Sequence, residues 1–480
     1  MVSPVAPQNM LFILSDEHNR NVLRCYGDEI VETPNLDALA ARGTRFTDAY
    51  TNSPICVPAR ASLATGQYAH TIGCWDNAAP YHGEPQSWHH VMRDAGHEVV
   101  SIGKLHFRSA DDDNGFSEEI LPLHVVGGAG DLKSLLRRDP PQKGGLDKMA
   151  KDASEGVGEY ASYDEAITAA AMEWITERGG KTQKPWCLFV SLTMPHFPLI
   201  ADPKFFSLYR ERTLEELREG RNLPPSEHAF ITEMRQRRDY DAYFTDEQRR
   251  IALQAYYGMV SHVDDMVGRL LAALEAVGLT GSTRVIYSSD HGDNLGNRGL
   301  WGKSVMYDDS SAIPMIAAGA GIAENTVNTT PVSLVDIFPT VLQAVGAPME
   351  SAQALPGESL FDIVAAPNRE RAVFSEYHAS GSPTGAFMLR KGKWKLVVYP
   401  GYAPQLFDME TDPNESNDLS SDPAQASIRA ALESDLAKIA NPYELNAQAF
   451  ADQENRIHLN GGRDAILGTA DIPHTPAPAF

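Results

Sequence analysis

The sequence has little cysteine, no long apolar run and a shortage of positive charge, and each scarcity closes off a class of protein. Its four cysteines, Cys25, Cys56, Cys74 and Cys187, are scattered and lack metal-ligand spacing. They are enough for two disulfides, but neither chain size nor spacing requires any. No stretch approaches the roughly 20 apolar residues that span a bilayer. Residues 1–9 carry no basic region followed by an apolar core, so no signal peptide is expected and a cytoplasmic location is. Lys and Arg total 41 against 64 Asp and Glu, for a formal net charge of −23. So acidic a chain is a poor partner for nucleic acid or an anionic membrane. Internal repeats and long low-complexity segments are missing too.

What is present is ordinary globular material. The chain has 480 residues, 42% hydrophobic and 22% charged, ample for a large core. Residues 10–14, 97–102, 186–192 and 283–289 read as buried strands, alternating with helical stretches at 34–43, 88–95, 163–178 and 246–276. Thr33 is predicted to cap the first of these helices, Pro34 to start it and Gly43 to stop it. Residues 44–50 alternate like a strand. Residues 110–158, rich in Gly, Asp and Lys, predict a long excursion with little regular structure. The pattern predicts an α/β fold: a large mixed, mostly parallel sheet flanked by helices. After residue 370 the texture shifts to short antiparallel strands at 371–377, 386–390 and 394–399, with one helix at 428–439. Domains are therefore expected at 1–370 and at 371–460, the latter a smaller C-terminal α+β unit, followed by a Gly- and Pro-rich arm at 461–480.

Each predicted parallel strand ends in a polar burst. Asp16, Lys104 with His106, His196, and Asp290 with His291 all stand at such ends, where open α/β sheets gather ligands. Any one of them is an ordinary turn or packed ring in many proteins; their joint occurrence is harder to dismiss. Asp16, Asp290 and His291 suit a divalent cation, with Glu17 offering another oxygen. Lys104, His106, His196 and Lys303 suit a tetrahedral oxyanion, which they can clamp and exchange protons with. Cys56 precedes Pro58 at a predicted helix start, where a thiolate or any anion is favoured, and Arg60 lies one turn on.

The run Cys56-Val57-Pro58-Ala59-Arg60, followed by Thr65-Gly66, resembles the C-x-P-x-R signature of the sulfatase family. So does the order Leu14-Ser15-Asp16, Gly103-Lys104-Leu105-His106, Pro195-His196, Ser289-Asp290-His291-Gly292 and Gly302-Lys303. The resemblance covers most of the chain, including residues 406–415, which look like the family's closing hairpin. It implies an alkaline phosphatase-like fold and hydrolysis of sulfate esters. It also implies maturation of Cys56 to formylglycine by a formylglycine-generating enzyme, with the hydrated aldehyde as nucleophile. Asp16, Glu17, Asp290, His291 and residue 56 are then the metal ligands, with Ca²⁺ expected ahead of Mn²⁺ or Mg²⁺. Arg60 stabilises the hydrate, Lys104 and His106 lie beside it, and His106 is the base that regenerates the aldehyde. His196 and Lys303 bind the sulfate and assist the leaving group. Asn77 resembles a substrate-binding Asn of the choline-sulfatase and phosphonate monoester hydrolase branches.

Two departures from the family pattern bear on this. Asp16 is followed by Glu17 rather than a second Asp, and Asp290 by His291 where many members have Asn; the His points to the same two branches. Sulfate-ester hydrolysis is the leading expectation, and phosphonate monoester or phosphodiester hydrolysis at the same site is the nearest rival. A non-catalytic anion-binding protein is a third reading. A thiolate phosphatase using Cys56 directly lacks the longer loop between Cys and Arg that such enzymes need. The substrate is expected to be a small anionic ester. Trp75, Trp88 and Trp301 are candidates for an aromatic wall around its organic half. A homo-oligomer is expected, with the 461–480 arm covering the pocket of its own or a neighbouring subunit.

Overall fold

The computed structural model describes residues 6–138, 140–141 and 146–479. Residues 1–5, 139, 142–145 and 480, which fall inside the predicted N-terminal, 110–158 and 461–480 segments, lie outside the described residues.

Eight strands form the main sheet: β1 (Asn9–Asp16), β2 (Gly43–Phe46), β3 (Val99–Lys104), β4 (Glu118–Leu123), β5 (Cys187–Pro195), β6 (Thr283–Ser289), β7 (Met315–Ala318) and β8 (Thr326–Asn328). Their spatial order is β8-β2-β7-β6-β1-β5-β3-β4. Only β7 runs against its neighbours; the other pairings are parallel. The consequence for chemistry is direct. β6, β1, β5 and β3 are adjacent and point the same way, so their C-terminal ends share one edge.

The sheet is buried on both faces, as a parallel sheet must be. Successive side chains of β1 alternate between the two cores. Leu11 and Ile13 pack with the helices Pro34–Ala41 (α1), Glu159–Glu177 (α3) and Asp246–Ala276 (α4). Met10, Phe12 and Leu14 face the opposite core, with Cys56–Thr65 (α2) and the helices Trp88–Asp94 and Ile337–Val345.

The C-terminal part carries a four-stranded antiparallel sheet of Ala372–Tyr377 (β9), Ala386–Lys391 (β10), Trp394–Val398 (β11) and Gln405–Asp408 (β12). Helix Ala426–Ile439 (α5) lies against it through Leu432 and Leu436.

Several local expectations need correction. Thr33 does not cap α1; its hydroxyl accepts from the backbone of Arg24 instead. The cap comes from Asp264 on α4, whose carboxylate accepts the N–H groups of Asn35 and Leu36 at 3.1 and 2.7 Å. The 44–50 run is two strands in two sheets, since Ala49–Tyr50 pairs with Val332–Ser333 rather than within the main sheet. The 110–158 excursion contains the edge strand β4, paired with β3, and a short helix at Lys148–Asp152. Edge position explains why β4 is hard to read: most of its residues are half-exposed, and no alternation of buried and exposed positions marks it. A second C-terminal helix, Pro442–Leu459 (α6), was not anticipated. Among the described residues no helix is long and apolar enough to cross a membrane.

Candidate active site

Cys56 is the first residue of α2, and Val57 and Pro58 complete its first turn. Pro58 sits where its missing N–H costs nothing. One turn on, the buried Arg60 reaches back under the thiol. Its Nε donates to Asp290 Oδ2 at 2.8 Å and its Nη2 to Asp16 Oδ2 at 3.3 Å. Its Nη1 donates to the Lys104 carbonyl at 2.8 Å and Ser191 Oγ at 2.9 Å. One guanidinium thus ties the ends of β6, β1 and β3 to the middle of β5. Lys104 Nζ forms a second ion pair with Asp16.

Four potential ligand atoms, from Asp16, Cys56, Asp290 and His291, lie within 4.8 Å of one another, all buried. His291 Nε2 is 3.1 Å from Cys56 Sγ, 3.7 Å from Asp16 Oδ1 and 3.6 Å from Asp290 Oδ1. Its Nδ1 donates to the Gly292 carbonyl at 3.1 Å, so in the neutral ring the Nε2 lone pair faces the carboxylates. Two carboxylates and an imidazole lone pair converging in a dry site fit a divalent cation, and the carbonyl that fixes the ring is the usual support for a ligating His. Glu17 falls in a separate group with Asp16 and His196. Its Oε2 takes Lys303 Nζ at 2.9 Å and lies 3.3 Å from His196 Nε2, while Oε1 is buried without a hydrogen-bond partner.

The charges are uneven. Burial disfavours an ionised Asp16, yet Lys104, His196, Arg60 and Lys303 together hold it well below the usual carboxylate range. Glu17 goes the other way: burial, against the pull of Lys303, pushes it up to about 8. Burial, reinforced by the Asp16 and Asp290 carboxylates, pushes the Cys56 thiol up to about 12. With no cation bound, desolvation and two neighbouring anions act against the helix terminus at this sulfur.

Above the thiol, Lys303 Nζ lies 3.4 Å from Sγ. Asp293 Oδ1 holds the loop that carries Lys303 by accepting from Gly302 N–H at 3.0 Å. His196 Nδ1 donates to the Phe197 carbonyl at 2.6 Å, which leaves Nε2 facing the site. Asn77 borders the same cavity and accepts the Val57 N–H at 3.2 Å. His106 also lines it, with Nε2 at 2.9 Å from Thr475 Oγ1. Thus all ten singled-out residues besides Asn77, and Asn77 itself, border or form one site.

Several participants carry no sequence signal. Ser191 lies in the middle of β5 and is one of many serines. Thr475 belongs to the arm. After the short helix Arg463–Leu467, the arm folds over the cavity of its own chain. The Thr475 carbonyl accepts from Tyr160 OH at 2.7 Å and His474 Nε2 pairs with Glu159 at 2.5 Å. Of the three tryptophans only Trp301 lines the cavity; Trp75 and Trp88 are packed in the interior. Trp301 stacks on Phe244 with ring centroids 4.1 Å apart.

Comparison with known proteins agrees in outline. The sequence profile of the family described as Sulfatase matches residues 8–347, and a profile described as N-sulphoglucosamine sulphohydrolase, C-terminal, matches residues 296–442. A choline-sulfatase of Rhizobium meliloti (strain 1021) is 31% identical over 98% of this chain and 93% of the relative. Arylsulfatase K of Danio rerio is 28% identical over 86% of this chain and 80% of its own. The crystal structure of a phosphonate monoester hydrolase of Agrobacterium radiobacter superposes with a TM-score of 0.70 over 92% of this chain and 96% of that one. At 22% identity that last likeness speaks to the fold alone.

Proposed function

The chain belongs to the sulfatase family, an enzyme family that hydrolyses sulfate esters, and from that premise we propose how its own residues do so. Cys56 is the site of conversion to formylglycine by a formylglycine-generating enzyme, and the hydrated aldehyde supplies the attacking oxygen. The observation that carries this reading is the convergence of Asp16, Cys56, Asp290 and His291 within 4.8 Å, next to Lys303. A hydrated aldehyde has one advantage over a plain hydroxyl or thiol: once one oxygen carries the sulfate, the other hydroxyl can give up its proton, re-form the carbonyl and break the C–O bond to sulfate.

Asp16, Asp290 and His291, with residue 56, would hold the cation, and Ca²⁺ suits the two carboxylates best. When bound, it supplies positive charge to the attacking oxygen and to a sulfate oxygen. The remaining work falls to the chain. Arg60 and Lys104 neutralise and orient the carboxylates, so the site is assembled before substrate arrives. Burial would lower Lys303, but its acidic neighbours, the ionised Asp16 among them, more than reverse that and keep it cationic. It is the group best placed to bind a sulfate oxygen and to meet the charge on the departing alcohol or phenol. His196, fixed by its own neighbour's carbonyl, contributes Nε2 to the same anion. His106, whose Nδ1 is buried without a partner, is the base that takes the proton left on residue 56.

Intact-mass analysis of protein from its native host, with turnover of p-nitrophenyl sulfate, tests this. The mass decrease of a thiol-to-aldehyde conversion confined to the peptide containing Cys56 is expected. An unmodified Cys56 in fully active enzyme would overturn the proposed nucleophile. A phosphonate monoesterase shares the same anion clamp. Preference for phenyl p-nitrophenyl phosphonate over the sulfate by about a hundredfold, some 2.8 kcal/mol of transition-state binding, would make that the physiological reaction instead.

A further inference from the structure

Of the 18 residues of α6, only Pro442, Ala449 and Gln453 are buried. A helix with so narrow an apolar face is not held by hydrophobic contact alone. Ile457 packs at the edge of a small cluster of Ala78, Leu135, Leu136 and Ile466, and Arg137 lies 4.2 Å from the Phe450 ring centre. The remaining attachments are hydrogen bonds to residues 75–78. Asp452 Oδ2 accepts the Trp75 indole N–H at 2.9 Å, and Arg456 Nη1 donates to the Ala78 carbonyl at 2.5 Å. Asn77, which borders the catalytic cavity, lies between those two anchor points.

Gln453 is the centre of this attachment and is only 1% exposed. Its Nε2 donates to Asp76 Oδ2 at 2.6 Å and to the His378 carbonyl at 2.8 Å, while its Oε1 accepts from Arg137 Nη1 at 2.9 Å. A primary amide suits the position because it donates twice through one atom and accepts through the other. Asp76 is fully buried, and its second oxygen accepts the Ala78 N–H at 2.8 Å, which closes the turn around Asn77. The buried carboxylate is thus satisfied by the amide on one side and by the turn it shapes on the other.

Asn77 is the half-buried member of the turn. Its Oδ1 takes the Val57 N–H at 3.2 Å, one residue from the attacking centre, so the two N–H groups of its amide remain for an anion in the cavity. Its backbone carbonyl accepts from Asp131 N–H at 3.3 Å, and Asp131 and Ser134 line the same cavity. The approach of the two segments is close: a Cβ at Gly130 would stand 2.0 Å from the Asn77 carbonyl. A shift of Asp76 therefore moves Asn77 and the 130–134 wall together.

Resting on the sulfatase reading above, we propose that Gln453 is a positioning residue for that reaction: by holding Asp76 it sets the amide of Asn77 against the bound sulfate ester, so that α6 governs substrate affinity without touching substrate. The isosteric acid cannot replace the amide, because Gln453→Glu sets a second carboxylate against Asp76 where a 2.6 Å hydrogen bond now stands.

The test is a double-mutant cycle in full-length, aldehyde-bearing enzyme turning over p-nitrophenyl sulfate. Gln453→Glu and Asn77→Ala are each expected to raise KM about tenfold while kcat changes less than about twofold, the pattern of lost ground-state binding. In the Asn77→Ala background Gln453→Glu is expected to add less than about twofold, because the group it acts through is gone. Adding Asp76→Asn to Gln453→Glu is expected to recover most of the affinity, since amide and carboxylate then change sides. A KM effect that multiplies undiminished onto Asn77→Ala would overturn the proposal, and so would a Gln453→Glu enzyme with lowered Tm and unchanged KM. Should Gln453→Glu fail to fold, Asp76→Asn alone carries the same cycle from the other side of the hydrogen bond, with the same deciding outcomes. No turnover of the sulfate by the unmutated enzyme would reject the sulfatase reading and the proposal with it. Turnover with independent effects at residues 77 and 453 would leave that reading standing and remove only the role of Gln453.

Discussion

At residue 56 the identity of one atom decides the chemistry. Sulfur there is neutral and enclosed, with its thiol pushed up to about 12. Cys56→Ala is expected to leave the fold intact, since it trims one small buried group at a cost of about 1 kcal/mol. Release of nitrophenol from the sulfate ester is expected to fall by roughly a thousandfold or more. Retention of more than about a tenth of wild-type kcat would show that another group attacks. A subtler test concerns His106, which is held at Nε2 by the Thr475 hydroxyl. Thr475→Val keeps the volume and deletes the hydrogen bond. It is expected to lower kcat about three- to tenfold, with Thr475→Ser restoring it, in line with roughly 1 kcal/mol for one such bond. An unchanged kcat and pH profile in Thr475→Val would mean the contact does nothing for the base.

Between elements, two connections matter. Glu376 on β9 binds the small sheet to the segment following α2. It accepts from the His70 backbone N–H at 2.9 Å and His70 Nδ1 at 2.8 Å through one oxygen, and from His378 Nε2 at 3.0 Å through the other. Burial would raise it, but His70 and His378 hold it down at about 2. Burial lowers His70, and Glu376 more than reverses that, leaving it above its ordinary 6.5. The signs follow. The depressed Glu376 adds stability above its ordinary value of 4.5, and this is lost as pH falls from there through about 2. The raised His70 adds stability below 6.5, lost as pH climbs past its elevated value. Urea titrations should therefore show this pair contributing most between 4.5 and 6.5. Glu376→Gln should cost roughly 3 kcal/mol in that window and less at either side. A pH-independent loss would show that the charges are not the source. The arm is the second connection. Truncation after Leu467 removes His474 and Thr475 from the cavity and is expected to raise KM several-fold. An unaltered KM would assign the arm no part in the site.

Over the whole molecule, the sheet brings like charges together and relies on cations to hold them. Arg60 and Lys104 cover part of the charge of Asp16 and Asp290. A divalent ion at saturating concentration adds about 2.7 kcal/mol at a hundred times its Kd. Chelation should therefore abolish turnover and lower Tm by about 2–5 °C, and returning Ca²⁺ should restore both. Asp290→Asn is expected to lose the Ca²⁺-dependent Tm shift. Activity and Tm that both ignore chelator would remove the cation from the reaction.

Much of this was legible before any coordinates. A buried strand announces itself by an apolar run, and a polar burst after it marks the ligand edge. Asp16, Lys104, His196 and Asp290 were found by that logic. α4 was legible from its helical spacing along 246–276. The sequence was less informative at the half-exposed edge of the sheet, as in β4, or where a distant residue does a local task, as Asp264 does for α1. It was silent on Thr475, because a threonine in an arm looks like surface.

What the chain alone determined is the inventory: which side chains stand at strand ends, which thiol opens a helix, and how much positive charge is available to meet an anion. Local patterning suffices for that, because strands and helix starts are set by neighbours in sequence. Which of those groups meet, and what closes the cavity around them, was decided only by the packed sheet. Strand order, the reversal confined to β7 and the return of the arm bring together residues separated by up to several hundred positions, and no periodicity along the chain encodes contact at that separation.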